Sequence, residues 1–359
     1  MKRVLLITDV NFWEQCSGNR TRILTLVEYL SQHVQLTVVN TGPAPMDIES
    51  TLAAKFPADF FILEKTKYLN SNGYGRRLKA LLKNEPFDAI IIEYIHSSYF
   101  LNFLENTEAK IILDAHDIIS ERTEAFKKYN YAGALYELSN EAEQEILDVY
   151  DHVMVLCKPD HDAIGKMIGP GRALLCPHPV LPSPHGLRPE VKNIAFIASA
   201  YLPNADAITW FLANCWPPLR EKYDVQLCLY GTVCSNIKLA DRRQIVCKGF
   251  IPGLDHIYEE TDIVINPVRF GAGLKIKNVE ALANGLPLVT TSHGTRGIAA
   301  AQSNACLVAD SAEDFTRAVS FLIEDAALRQ ELRKNALCYV KQNLSADKCF
   351  SPLLAVINA

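Results

Sequence analysis

Twice along the chain, short unbroken apolar runs alternate with stretches that carry the period of an amphipathic helix, and few folds accept that pattern. The first passage opens with "VLLITDV", passes Gly18 into a helix with Ile23, Leu26, Val27 and Leu30 on one face, and continues through "QLTVVN", "DFFILEK", "FDAIIIEY", "AKIILDA" and "HVMVLC". The second starts at "NIAFIASA", has a helix around Ile208, Phe211 and Leu212, and runs through "VQLCLYG", "QIVCKGF", "DIVINP", "PLVTT" and "ACLVAD". Helices near Glu313 to Ile323 and Ala327 to Gln342 follow. A strand with one wet face alternates apolar and polar residues; these do not, so both faces are covered, as in a parallel sheet between helical layers. Between the passages, Cys176 to Lys192 holds five prolines and reads as a linker. The predicted fold is α/β: two Rossmann-like doubly wound domains facing a cleft, over residues 1–180 and 190–344, with 345–359 packing back on the first. Ligands of such sheets sit at the carboxyl ends of the strands.

Composition narrows the function. With 359 residues, 49% hydrophobic and 21% charged, the chain reads as a soluble globular protein. A net charge of -5 argues against a general nucleic-acid binder. No apolar run approaches the roughly 20 residues of a membrane span, and "MKRVLLITDV" reads as a first strand rather than a signal peptide. Ten cysteines without a Cys-x-x-Cys pair fit buried, reduced thiols in a cytoplasmic protein. The basic stretch "YGRRLKALLK", with Arg76, Arg77, Lys79 and Lys83, reads as a solvated helix, with weak peripheral contact to an anionic membrane as the alternative.

Neither half has Gly-x-Gly-x-x-Gly after its first strand, and there is no Gly-Lys-Ser/Thr loop, which weakens dinucleotide and P-loop readings. The unusual feature is "FGAGLKIKNVEALANG", Phe270 to Gly285. From Leu274 the pattern is helical, with Ile276, Val279, Leu282 and Ala283 on one face and Asn284-Gly285 as a stop. Lys275 and Lys277 then fall in the first turn, where the dipole already presents positive charge. An anion, such as a phosphate, accounts for cations there. Glu280 borders the apolar arc, either as a surface partner of Lys277 or as an acceptor for a vicinal diol such as ribose. Gly18, between the first strand and helix, either lets backbone approach a phosphate or simply starts the helix. "ILDAHDIISER" puts His116 and Asp117 just past a strand end, as crevice residues or as a structural His with a capping Asp. Gly249 and its neighbours offer amides to a base edge, and Arg296 offers a charge to an anion.

The segment from Ile265 to Ile298, "INPVRFGAGLKIKNVEALANGLPLVTTSHGTRGI", resembles the signature of GT-B glycosyltransferases, in particular the retaining family four, glycosyl transferases group one. "IASAYLPNADAITWFL" resembles the start of that family's donor domain, "LDAHDIISER" its histidine loop, and "KGFI" follows in the expected order. The resemblance implies that Lys275 neutralises a donor diphosphate with Gly271, Gly273 and Leu274 of its loop, and that Glu280 holds the ribose. It implies that backbone at Gly249, Phe250 and Ile251 holds the nucleobase, that His116 contacts the donor sugar, and that Gly18 approaches the phosphates. Two positions depart from the family. Ala272 stands where many members have a first glutamate, and Asn204, taken as donor-binding, stands near a usual basic residue. The implied activity is transfer of a sugar from a nucleoside diphosphate sugar to a glycan, polysaccharide or lipid-linked acceptor, with retention by front-face attack and with neither metal nor cofactor. The rivals are a nucleotide-sugar epimerase or hydrolase, and a binding partner without turnover.

Overall fold

The computed structural model describes all residues except 15–16, 64–75, 81–85, 105–106, 133–134, 236, 238–241, 252 and 299–304. Its strands are β1 (Arg3–Thr8), β2 (Gln35–Asn40), β3 (Ala58–Ile62), β4 (Ala89–Glu93), β5 (Lys110–Asp114), β6 (His152–Val155), β7 (Ala173–Leu175), β8 (Asn193–Ile197), β9 (Gln226–Tyr230), β10 (Ile245–Gly249), β11 (Ile263–Asn266), β12 (Leu288–Thr290) and β13 (Leu307–Val308). They form two sheets, ordered β3-β2-β1-β4-β5-β6-β7 and β10-β9-β8-β11-β12-β13. Every pairing among the described residues is parallel. Both sheets reverse their winding beside the first strand, between β1 and β4 and between β8 and β11, which is the doubly wound order inferred from the sequence.

The chain divides into two compact units, Met1–Gln15, Asn19–Pro177 and Cys349–Ala359 in one, Cys16–Gly18 and His178–Lys348 in the other. In the first, Leu5, Ile7, Ile90, Ile92, Leu113, Val153 and Val155 form the centre of the core. The Gly18–His33 helix buries Ile23, Leu26, Val27 and Leu30, the face read from its period. The final helix, Ala346–Asn358, buries Phe350 against Tyr29, ring centroids 5.1 Å apart, and its Val356 carbonyl accepts from Lys110 Nζ at 2.8 Å. In the second unit Phe196, Leu227, Leu229, Ile263, Ile265 and Val289 meet Phe211 and Phe315, whose rings pack edge-on at 5.8 Å.

Three local readings change. β7 was not expected, because its run is only three residues long and, among the described strands, it pairs with β6 alone. The Lys-bearing helix starts at Ile276, so Lys275 caps it (φ -87°) instead of occupying the first turn, while Lys277 does sit there. The proline-rich stretch has no regular structure, yet much of it is tied down. Val180 N donates to Leu344 O, Ser183 N to Ala283 O, and Arg329 Nη2 to Pro189 O at 2.6 Å. Arg76, Arg77 and Lys79 are exposed; Lys83 lies outside the described residues. The described cysteines are free, six of them buried and Cys247 and Cys338 exposed.

One buried polar network positions the loops of the second sheet. Asn278, fully buried in the Ile276–Ala283 helix, accepts from Asn266 Nδ2 at the end of β11 (2.8 Å). Its own amide nitrogen donates to Gly294 O at 2.8 Å and to Thr290 Oγ1 of β12 at 3.3 Å. Thr290 in turn donates to Asn266 O at 2.9 Å. Gly294 has no room for a side chain, since a Cβ would stand 2.0 Å from Thr290 Oγ1. Asn278→Ala leaves two buried polar groups, Asn266 Nδ2 and Gly294 O, without this partner, each costing about 1–3 kcal/mol with partial relaxation. We expect a net loss of about 2–4 kcal/mol, read by urea unfolding; a loss below about 0.5 kcal/mol would show that the network does not hold the helix.

Candidate active site

In a parallel sheet all carboxyl ends lie on one edge, and the candidate residues gather there in each unit. On the first sheet, β4 ends at Glu93 and β5 at Asp114, with His116 two residues beyond. His116 Nε2 stands 2.6 Å from Glu93 Oε2, and its ring stacks on Tyr94 at 4.0 Å and 10°. Both Tyr94 (φ 67°) and His116 (φ 61°) have positive φ, which costs residues other than glycine roughly 1–3 kcal/mol each. The surrounding contacts must offset that cost. Beside the pair, fully buried Arg22 reaches Asp114 Oδ2 from Nε and Nη2 at 3.2 Å. Arg22 Nη1 donates to Pro177 O at 2.8 Å, and the guanidinium lies 4.7 Å from the Phe350 ring centroid.

The guanidinium thus pairs with Asp114 and acts on Glu93 only through its charge. Burial raises the Glu93 pKa and Asp114 raises it further, against the pull of His116 and Arg22. Burial lowers that of His116, but Asp114 and Glu93 reverse this and the net direction is upward. The pair thus keeps a proton to higher pH than a free histidine would. Glu93, Asp114 and His116 could also be read as metal ligands, since their ligand atoms lie within 4.8 Å of one another. The contacts that they make fit better with a histidine held by its carboxylate, because Arg22 already supplies Asp114 with a cation. Asp117, the other crevice candidate, pairs with Arg122 at 2.8 Å. Gly18 is the first residue of its helix.

On the second sheet, the candidates lie after four of the strands, at the carboxyl edge. After β8 comes Asn204, whose Oδ1 accepts from Lys277 Nζ at 2.7 Å. After β11 comes the Gly-Ala-Gly turn, where Gly271 (φ 117°) and Gly273 (φ 68°) adopt backbone that other residues avoid. Lys275 Nζ donates to the Ala272 and Gly273 carbonyls at 3.1 and 2.9 Å, folding the turn about its ammonium. Leu274 is half-buried beside it. Gly249 ends β10 with φ 69° and open space where a Cβ would stand; Phe250 is 50% exposed and Ile251 half-buried. After β12 come His293 and Arg296.

The second site is electropositive and partly desolvated. Burial lowers the Lys277 pKa to about 7, and Lys275 adds to the effect against the opposing charge of Glu280. The ammonium also lies 4.9 Å from the Phe196 ring centroid. Burial, Lys275 and Arg296 together hold His293 down to about 3, so it is neutral, and its Nε2 is buried without a partner. Glu280 Oε2 accepts from Tyr258 OH at 2.9 Å, and burial raises its pKa. Arg269 holds the base of the turn to Asp206 through bonds of 2.8 and 3.1 Å. Such a loop can receive an anion on its cations and amides, and a polar hydroxyl group on Glu280.

Sequence reading missed Glu93, Arg22, Tyr258 and His293 as site residues. Glu93 carried a signal: a carboxylate closing an otherwise apolar strand. Arg22 also carried one, as a charge in line with the apolar face of its helix. The chain also contains one Asp-x-Asp spacing, Asp160 and Asp162, a pattern that bears on metal dependence. Both lie in the Lys158–Ile168 helix, where Asp162 accepts from Lys158.

Solved glycosyltransferase structures share this architecture along the whole chain. HepE of Anabaena, in complex with UDP and glucose, superposes with a TM-score of 0.75 at 11% identity, covering 100% of both chains. TarM superposes with a TM-score of 0.76 at 11% identity, covering 100% of this chain and 99% of TarM. The fold is thus the GT-B one, two Rossmann-like units. Residues 191–325 match the family described as Glycosyl transferases group 1, which covers β8 through the Ala312–Glu324 helix and includes every candidate residue named in the second unit. A Klebsiella pneumoniae protein, described as an uncharacterized 44.6 kDa protein in the cps region, is 23% identical over 302 residues, 77% of this chain and 76% of its own. No described helix is long and apolar enough to cross a membrane.

The depressed Lys277 pKa has a signed consequence. Between pH 7 and the ordinary lysine value the unfolded chain holds a proton that the folded one has released, so folding becomes more favourable as pH rises through that window. We expect the stability difference between wild type and Lys277→Met, from urea unfolding at pH 6 to 10, to shift toward wild type with rising pH. A difference flat across that range would place the ammonium in ordinary solvent.

Proposed function

We propose that this protein is a glycosyltransferase that moves a sugar from a nucleoside diphosphate sugar to a hydroxyl acceptor, with retention of configuration and without a metal ion. The observation that carries the proposal is the Gly271–Lys275 turn. Two left-handed glycines and a capping lysine open a helix that also carries Lys277 and the Tyr258-bound Glu280, inside a segment matching a glycosyltransferase family. In this reading the turn's amides, the helix dipole and Lys275 receive the charge that grows on the departing diphosphate. Lys277, close to neutral when the site is empty, gains a reason to stay charged when the diphosphate arrives. Glu280, oriented by Tyr258, accepts the ribose hydroxyls, and backbone at Gly249, Phe250 and Ile251 meets the base. The 1–177 unit is the acceptor domain and the 178–348 unit the donor domain.

His116 is assigned to the donor sugar near the reacting carbon. Attack comes from the face that the diphosphate leaves, and a diphosphate oxygen takes the acceptor proton, so no carboxylate nucleophile is required. UDP is the first nucleotide to try, because HepE binds it, and polysaccharide biosynthesis is the proposed setting in view of the cps-region relative.

Lys275→Ala is expected to weaken nucleoside diphosphate binding by roughly 1.5–3 kcal/mol, the scale of a charge-assisted hydrogen bond. Binding of the bare nucleoside should hardly change. Calorimetric titration of UDP and uridine into both proteins reads this directly, after a thermal-shift screen of other nucleoside diphosphates if UDP is silent. Equal losses for both ligands would indicate general damage and remove Lys275 from the phosphates. His116→Ala is expected to lower turnover at least about 100-fold while changing donor affinity little; normal turnover would return His116 to a structural role.

A further inference from the structure

The Glu93–His116 pair is more than packing. Its members come from the ends of two neighbouring strands, β4 and β5, which pair Glu93 with Asp114 in register. Glu93 is fully buried, as is Asp114, and one oxygen of each, Glu93 Oε1 and Asp114 Oδ1, is sealed without a partner. Leaving carboxylate oxygens in that state is costly, and a core with apolar residues at these places would avoid the cost. Yet the backbone takes a positive φ at both Tyr94 and His116, which brings the imidazole flat onto the Tyr94 ring with Nε2 aimed at the carboxylate.

We infer that Glu93 is a positioning residue for His116: by accepting the hydrogen bond from Nε2–H it fixes which ring nitrogen carries the proton and turns Nδ1 toward substrate. The inference rests on the assignment of His116 to the donor sugar. Three elements set the charge around the ring. Glu93 comes from β4, Asp114 from β5 and Arg22 from the Gly18–His33 helix. Tyr94 covers one face of the imidazole, and Asp117, the next charge along the chain, is taken up by Arg122. Two carboxylates against one guanidinium leave a deficit of one positive charge, which a proton on His116 fills. An imidazolium so held offers Nδ1–H as a donor to a sugar oxygen. The neutral ring, with Nε2 still protonated, offers a lone pair at the same place. Glu93 thereby selects the function of the other ring nitrogen without touching substrate.

Nitrogen-15 spectra of the histidine-labelled, ligand-free protein test this, with His116→Gln identifying the signal. The expected result is a His116 midpoint above the ordinary histidine value of about 6.5, with Nε2 protonated in the neutral form. Glu93→Gln should lower that midpoint by about one pH unit or more, the scale of removing one neighbouring charge, and Glu93→Asp should restore part of the shift. A neutral ring protonated on Nδ1, a wild-type midpoint at or below the ordinary value, or a midpoint unmoved in Glu93→Gln would overturn the inference. Should Glu93→Gln fail to fold, the wild-type tautomer and midpoint decide alone. The spectra need no donor, which separates the two ideas. Spectra as expected combined with full turnover in His116→Ala would sink the catalytic assignment and this inference together. Turnover lost in His116→Ala while Glu93→Gln leaves the ring unmoved would sink the positioning role alone.

Discussion

The primary amide of Asn278 is the interaction on which the geometry of the candidate site in the second unit depends. A parallel sheet places the loops of β11 and β12 on the same edge but does not fix how they lie against the helix between them. Asn278 does, because one side chain bonds β11 through Asn266, β12 through Thr290 and the following loop through Gly294. An apolar residue would fill the same volume with no directional demand. The amide costs desolvation but accepts only one relative placement of the three segments, and the Lys275 turn and Glu280 inherit it from the helix they flank.

The two sheets reach their charged residues by opposite electrostatic means. Around His116, negative charge exceeds positive and the net shift of the imidazole pKa is upward. Around Lys277, positive charge exceeds negative, so the lysine approaches neutrality and His293 stays unprotonated. Each imbalance is a standing preference for what is missing: a donor-seeking or proton-holding centre on one sheet, an anion on the other. Neither depends on net charge, which at -5 says little about either.

Much of the fold could be read from the sequence because burial on both faces leaves an unmistakable mark. The runs "AIIIE" and "IVIN" became β4 and β11, and every residue in them is buried. β7 escaped because three residues carry no period. In the site, the Gly-Ala-Gly turn and its lysines stood out because cations beside a helix N-terminus violate a local rule. Glu93 did not, since a partner 23 residues away in sequence is supplied only by strand pairing. Lys277 stayed open between a solvated lysine and a phosphate contact, because the partner that half-buries it, Asn204, lies 73 residues away and helix periodicity cannot supply it.

The cysteines give the protein a set of internal clocks. Burial pushes the thiols of Cys176 and Cys349 in the first unit, and of Cys306 in the second, up to about 12, so none is a thiolate at neutral pH while the fold is closed. An alkylating reagent can reach them only when their surroundings open. Their modification rates, followed peptide by peptide against the exposed Cys247 and Cys338, therefore record how often each unit breathes, with no substitution in the sequence.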